Sequence, residues 1–167
     1  MIREVTHRDV DTTLQAAEAS GLFAPEEIPI LRAQLERSLS GESDREEFWL
    51  ADFDEAGTAL GAAFCAEEPM TDRVWNLLFL GVRRDRQSAG IGTALLQRVE
   101  ERLRAASQRM LVIETTNGEE FEPARSFYER HGYDREGTVR DFYAQGMHKL
   151  CYRKLLETEA ADGAPRS

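Results

Sequence analysis

Apolar positions along this chain change period several times, and the changes mark its elements. Ile2 to Val5 reads as a short strand. Thr6 can cap a helix that carries Val10, Leu14, Ala17 and Ala19 and stops at Gly21. Pro25 to Ser40 reads as a second helix with Ile28, Leu31 and Leu35 on one face, and Pro25 suits its first turn. Then the period shortens. "EEFWLADF" and "TALGAAFCAEE" are strand-like and flank "DEAG" (Asp54 to Gly57), a hairpin signal. "RVWNLLFLGV" is a longer apolar strand ending at Val82. A helix follows with Leu95, Leu96, Val99 and Leu103 on one face. "RMLVIETT" reads as a fully buried strand. "EPARSFYERHGY" is a short helix stopped by Gly132, and "GTVRDFYAQ" with "HKLCYRKLL" forms a hairpin turning at Gly146.

The order is β-α-α-β-β-β-α-β-α-β-β. One helix joins "RVWNLLFLGV" to "RMLVIETT", a right-handed crossover that makes those strands parallel. The hairpins make the other pairs antiparallel. The expected class is α/β (α+β): a mixed, mostly antiparallel sheet with helices on both faces. One domain is expected over residues 1–156, with a disordered tail over 157–167, "ETEAADGAPRS".

Composition narrows the function. The formal net charge is −10, which disfavours nucleic acid and favours cationic small molecules. No window approaches the ~20 apolar residues of a membrane span, and the first residues lack the apolar run of a signal peptide. A cytoplasmic location is expected. Cys65 and Cys151 sit in apolar strands without CxxC spacing and read as reduced core thiols. His7, His131 and His148 do not cluster with other ligands, so no metal is expected.

The chemistry concentrates in "RRDRQSAGIGTALLQ". The first N–H groups of a helix have no partner inside it, and the macrodipole adds positive charge there. Gly90 and Gly92 let a ligand approach the backbone, and Arg83, Arg84 and Arg86 gather positive charge. This describes a phosphate or pyrophosphate site. A Walker loop needs a Gly-Lys-Ser/Thr ending that is absent. A dinucleotide fingerprint is weakened, not excluded, by Leu95 in the third glycine's place.

"QSAGIG" (Gln87 to Gly92) resembles the Q/R-x-x-G-x-G/A signature of the GCN5-related N-acetyltransferases (GNAT), and "ARSFYERHGY" resembles that family's A-x-x-x-Y-x-x-x-G-F/Y segment. The resemblance spans about Ile2 to Leu156. It implies a GNAT-like fold in which the parallel strands splay apart and acetyl-CoA inserts between them. Its pyrophosphate would rest on Arg86, Gln87, Ser88, Ala89, Gly90, Ile91, Gly92 and Thr93, and backbone N–H groups of Leu80 and Val82 would polarise the thioester. Phe121 stands where many members have an asparagine.

The implied reaction is attack of an amine on the thioester in a ternary complex. Tyr128 is the candidate acid, donating to the leaving sulfur. A phenol titrates near pH 10 and a thiol near 8.5, so full proton transfer is uphill by about 2 kcal/mol. Glu114 is the candidate base. Glu67, Glu68, Asp141 and a water chain are alternatives. The acceptor is expected to be a primary amine of a small molecule or peptide, the assembly a monomer or homodimer. The other readings are a non-catalytic CoA-binding sensor or assembly module and a nicotinamide-binding oxidoreductase.

Overall fold

The computed structural model describes residues 1–156. The tail expected after Leu156 lies outside the described residues. The strands are β1 (Ile2–Glu4), β2 (Glu47–Phe53), β3 (Ala59–Glu67), β4 (Val74–Val82), β5 (Met110–Thr116), β6 (Asp134–Ala144) and β7 (Met147–Leu155). The helices are α1 (Val10–Ser20), α2 (Ile28–Leu39), α3 (Ile91–Ala105) and α4 (Glu122–Arg130). Single 3-10 turns precede each helix. No helix among the described residues is long and apolar enough to cross a membrane.

One sheet runs in the order β1-β2-β3-β4-β5-β7-β6. Only β4 and β5 are parallel; the other neighbours are antiparallel. Each face carries a core. On one, α3 packs through Leu95, Leu96, Val99 and Leu103 against Leu111, Ile113, Leu150 and Tyr152. On the other, α1 and α2 pack through Leu14, Ala17 and Leu35 against Trp49, Phe64 and Phe79.

Two details depart from the periodicity. Ala19 is exposed, and Thr13, Ala16 and Ser20 are buried instead, so the inner face of α1 is rotated and sets small residues beside Val10 and Leu14. β5 is not buried on both faces: Leu111 and Ile113 are, but Val112 is half-buried and Glu114 exposed. The reason is that α3 covers one face of β5 while α1 and α2 end their cover at β4.

A third departure shapes the centre. The β3–β4 register pairs Cys65 with Leu77 and Phe64 with Phe79, so Leu78 is an extra residue in a β-bulge. Without it, Leu77 and Phe79 would share a face. With it, Leu77 joins the α3 core and Phe79 the α1–α2 core.

The α3 side is also tied by a buried ion cluster. Both Glu100 oxygens accept from Lys154 Nζ at 2.9 Å, one accepts from Arg104 at 2.9 Å and the other from the Tyr133 hydroxyl at 2.9 Å. Lys154 also donates to the His131 carbonyl. One carboxylate thus fastens α3 to β7 and to the α4–β6 corner. Glu100→Ala leaves a buried phenol without its acceptor and a half-buried ammonium with the His131 carbonyl but no counter-charge. It should cost about 3–5 kcal/mol of stability, read from urea denaturation. Replacing Glu100 and Lys154 together with Leu and Met should cost less.

Candidate functional site

The parallel ladder is short. Val74, Trp75 and Asn76 pair with Met110, Leu111 and Val112, and pairing stops there. β4 runs on to Val82 and β5 to Thr116 without meeting. Each stays bonded on its outer side, β4 to β3 through Val82 and β5 to β7 through Thr116. Arg83 N donates to Leu60 O, so the alternation of the strand turns the N–H groups of Val82 and Leu80 away from β3, into the gap.

A cleft of about 430 Å³ lies along the end of β4 that β5 leaves unpaired. Leu80, Gly81 and Val82 form one wall, and Phe121, Pro123, Ala124, Phe127 and Tyr128 another. Gly92 stands at one mouth, and Ser20, Gly21 and Leu22 stand on the α1 side. Gly81 permits the α1 approach, because a Cβ there would lie 3.0 Å from Ser20 Oγ and closer still to the Phe79 ring.

The elbow before α3 is built by left-handed residues. Ser88 has φ +66° and Gly90, at the N-cap, φ +80°. Ala94 N donates to Gly90 O in the first bond of the helix, so the N–H groups of Ile91, Gly92 and Thr93 precede the ladder. The Ile91 side chain is buried in the α3 core and anchors this turn. Gln87 Nε2 donates to Val82 O and latches the loop to the strand end. Ala89 and Arg86 are exposed, and Arg86 lies 3.9 Å from Asp85.

The arginines are not equivalent. Arg83 pairs with Asp85 through two hydrogen bonds, which offset its charge locally. Arg84, which the sequence did not single out from its neighbours, lies over Gly21 and lines the cleft. Nor was His131 expected to take part. Its Nδ1 donates to Phe127 O at 2.7 Å, which fixes the tautomer and leaves Nε2 to accept from the Thr93 hydroxyl at 3.1 Å. It links α4 to the first turn of α3.

Tyr128 is 8% exposed and lines the cleft. Its ring is held edge-on by Phe127 and Tyr133. No described residue hydrogen-bonds its hydroxyl. Burial pushes its pKa well above that of an ordinary phenol, so the group stays protonated and donates. The aromatic pair Phe127 and Phe121 was legible as apolar residues, but their place in the cleft was not.

Glu114 is apart from this cleft. It lies on β5 beyond the last residue paired with β4, and its carboxylate is 2.7 Å from Lys149 Nζ. That pairing, chiefly the hydrogen bond, raises the Lys149 pKa. Among the alternatives, Glu68 accepts from Asn76, and Asp141 accepts from Gly146 N in the hairpin turn. Cys65 is buried and burial raises its pKa, so it is a protonated core thiol; Cys151 is half-buried. Among the described residues no group of three or more His, Cys, Asp or Glu gathers as a metal site.

Residues 44–135 match the family model for the acetyltransferase (GNAT) domain. No curated protein matches the chain. Of the solved structures, one from Desulfovibrio desulfuricans assigned to the GNAT family superposes with a TM-score of 0.87 at 26% identity, over 94% of this chain and 99% of that one. An aminoglycoside 6'-N-acetyltransferase complexed with coenzyme A gives 0.74 at 15% identity, over 95% and 98%. The ribosomal-protein-S18-alanine N-acetyltransferase of Escherichia coli gives 0.73 at 16%, over 97% of each chain. The last two share the fold. With the matched segment spanning more than half of the sequence and holding β4, the elbow and α4, the chain belongs to the GNAT acetyltransferase family.

Proposed function

We propose that this protein moves the acetyl group of acetyl-CoA to a primary amine of a small molecule or peptide, by direct attack while both substrates are bound. The observation that carries the reading is the Tyr128 hydroxyl, protonated, unpartnered among the described residues and facing the cleft where β4 and β5 part. Two fold relatives act, by their names, on an aminoglycoside and on a protein's alanine, and one was crystallised with coenzyme A. A cytoplasmic location agrees with two free thiols.

The residues fit such a substrate. The N–H groups of Ile91, Gly92 and Thr93 point from the helix start, where the dipole favours a pyrophosphate. Ser88, Ala89 and Gly90 shape the loop, Gln87 holds it to β4, and Arg84 and Arg86 add charge. Leu80 and Val82 N–H groups take the place of strand partners for the thread between β4 and β5 and, near the thioester, polarise its carbonyl. Phe121 supplies an apolar wall to the cleft.

Tyr128 donates a hydrogen bond to the leaving sulfur. Its raised pKa makes full transfer more uphill than the about 2 kcal/mol between an ordinary phenol and thiol. So it stabilises developing charge, and the amine's own proton neutralises the thiolate in the end. Glu114, to act as base, would first have to leave Lys149; in this reading water relays the amine's proton to the sulfur.

Tyr128→Phe should lower kcat by about 10²-fold, because the bond strengthens only as charge builds on sulfur. Acetyl-CoA affinity by calorimetry and Tm should stay nearly unchanged. A variant that turns over at the parent rate would end the assignment.

Gly92→Val should abolish acetyl-CoA binding in the same calorimetric titration. A Cβ at Gly92 meets Val82 and Phe127 only at ordinary contact, 3.6–3.8 Å, so folding survives. The added methyls, however, fill the mouth of the cleft. Arg86→Ala should only weaken binding, and raised salt should shrink the difference.

A further inference from the structure

Asn76 is the last residue of β4 that pairs with β5. It is 2% exposed. Its Nδ2 donates to Glu68 Oε1 at 2.8 Å. A carboxylate only accepts, so the amide cannot be turned end for end, and Oδ1 is fixed as the other atom. That oxygen is buried and has no hydrogen-bond partner. Buried polar groups are nearly always paired, so such an exception calls for a cause.

Its place suggests one. Asn76 lies opposite Ala66, a residue of the α1–α2 core, and opposite Val112 on β5. Its side chain is therefore on the face away from α3, at the closed end of the gap between β4 and β5. The elbow is at the other end, beside Val82. An acetyl thioester reaching the closed end carries a carbonyl, a sulfur and a methyl, and no N–H or O–H. The nearest N–H of CoA lies two carbons behind the sulfur, toward the elbow, so the donor that suits Oδ1 at the closed end is the second substrate.

We propose that Asn76 receives an N–H of the acceptor amine, with Glu68 as the positioning residue that holds its amide; the inference rests on the acetyl-transfer reading above. Insertion of substrate between β4 and β5 opens the way to Oδ1. An amine that gives one N–H to this oxygen points its lone pair elsewhere, toward the thioester carbon. The C–N bond then forms and the C–S bond breaks, and Asn76 itself exchanges no proton. The negative charge of Glu68, one residue behind the amide, favours a nitrogen that gains positive charge as it attacks. The ligand class is a primary amine.

The test is calorimetric and needs no turnover. Propylamine, tyramine and putrescine are titrated into protein saturated with CoA, for the parent, Asn76→Ala, Glu68→Ala and Glu68→Gln. Asn76→Ala and Glu68→Ala should weaken the amine by about tenfold or more. Glu68→Gln should recover most of the affinity lost in Glu68→Ala, because its side-chain oxygen still accepts from Nδ2. CoA affinity should be the same in all four. In steady-state assays KM for the amine should rise while KM for acetyl-CoA holds. Should Asn76→Ala fail to fold, Glu68→Ala carries the test, as Glu68 is only half-buried. Unchanged amine affinity with a lower Tm would overturn the proposal and leave Asn76 a structural amide. Equal weakening of CoA and amine would overturn it by assigning Asn76 to the CoA cleft. A parent that binds CoA but none of the amines would also overturn it. A parent that binds no CoA would instead defeat the acetyl-transfer reading itself.

Discussion

The architecture depends on two parallel strands that begin as partners and then part. β4 and β5 share three residue pairs and no more. They can separate without fraying because each is held along its outer edge, β4 by β3 and β5 by β7. The bulge at Leu78 falls just where the ladder ends and adds local twist. A sheet interior normally pairs its N–H groups, so two central strands that leave theirs facing a gap create a place for an extended ligand.

The helices are arranged around that opening. α3 brings its N-terminus to the end of β4, and Ile91 in the core fixes the turn so that three free N–H groups come together. α4 lays Phe127 and Tyr128 along the cleft. His131 joins the two helices through Phe127 O and the Thr93 hydroxyl. Glu100, with Lys154, Arg104 and Tyr133, braces the same side from within, and Tyr133 in turn backs the Tyr128 ring. For the proposed role of Tyr128 this stiffness matters, because a hydrogen-bond donor is useful only when it is held in place before charge develops.

The two faces of the opening differ in chemistry. The α3 side offers backbone N–H groups and the aromatic surface of α4. On the far side, Glu68 and Asn76 stand at the closed end and Glu114 pairs with Lys149 farther along β5. The proposed substrates, an anionic group on one side and an amine on the other, would suit this division. The cleft reaches both faces, since residues from the end of α1 and from the start of α3 line it together.

Much of this was legible in the sequence. Periodicity placed every strand and helix, since runs such as "RVWNLLFLGV" and Leu95-Leu96-Val99-Leu103 state their period openly. Glycines at 57, 132 and 146 marked turns that do need positive φ. The elbow was read from local spacing, because a helix start and its glycines are local features, whereas Tyr128 was singled out by the resemblance of "ARSFYERHGY" to a GNAT segment. What depended on neighbours distant in the chain was not. Burial of β5 was overestimated, for an apolar run cannot say which face a helix will cover. The bulge at Leu78 shows only in the register with β3. Arg84, Phe127 and the Glu68–Asn76 pair looked like ordinary loop, helix and strand residues. The sequence by itself determined the elements, their order and the helix start that can hold an anion. Only the tertiary structure decided where β4 and β5 separate and which polar atom is buried there without a partner among the described residues, because both are set by contacts between segments far apart in the chain.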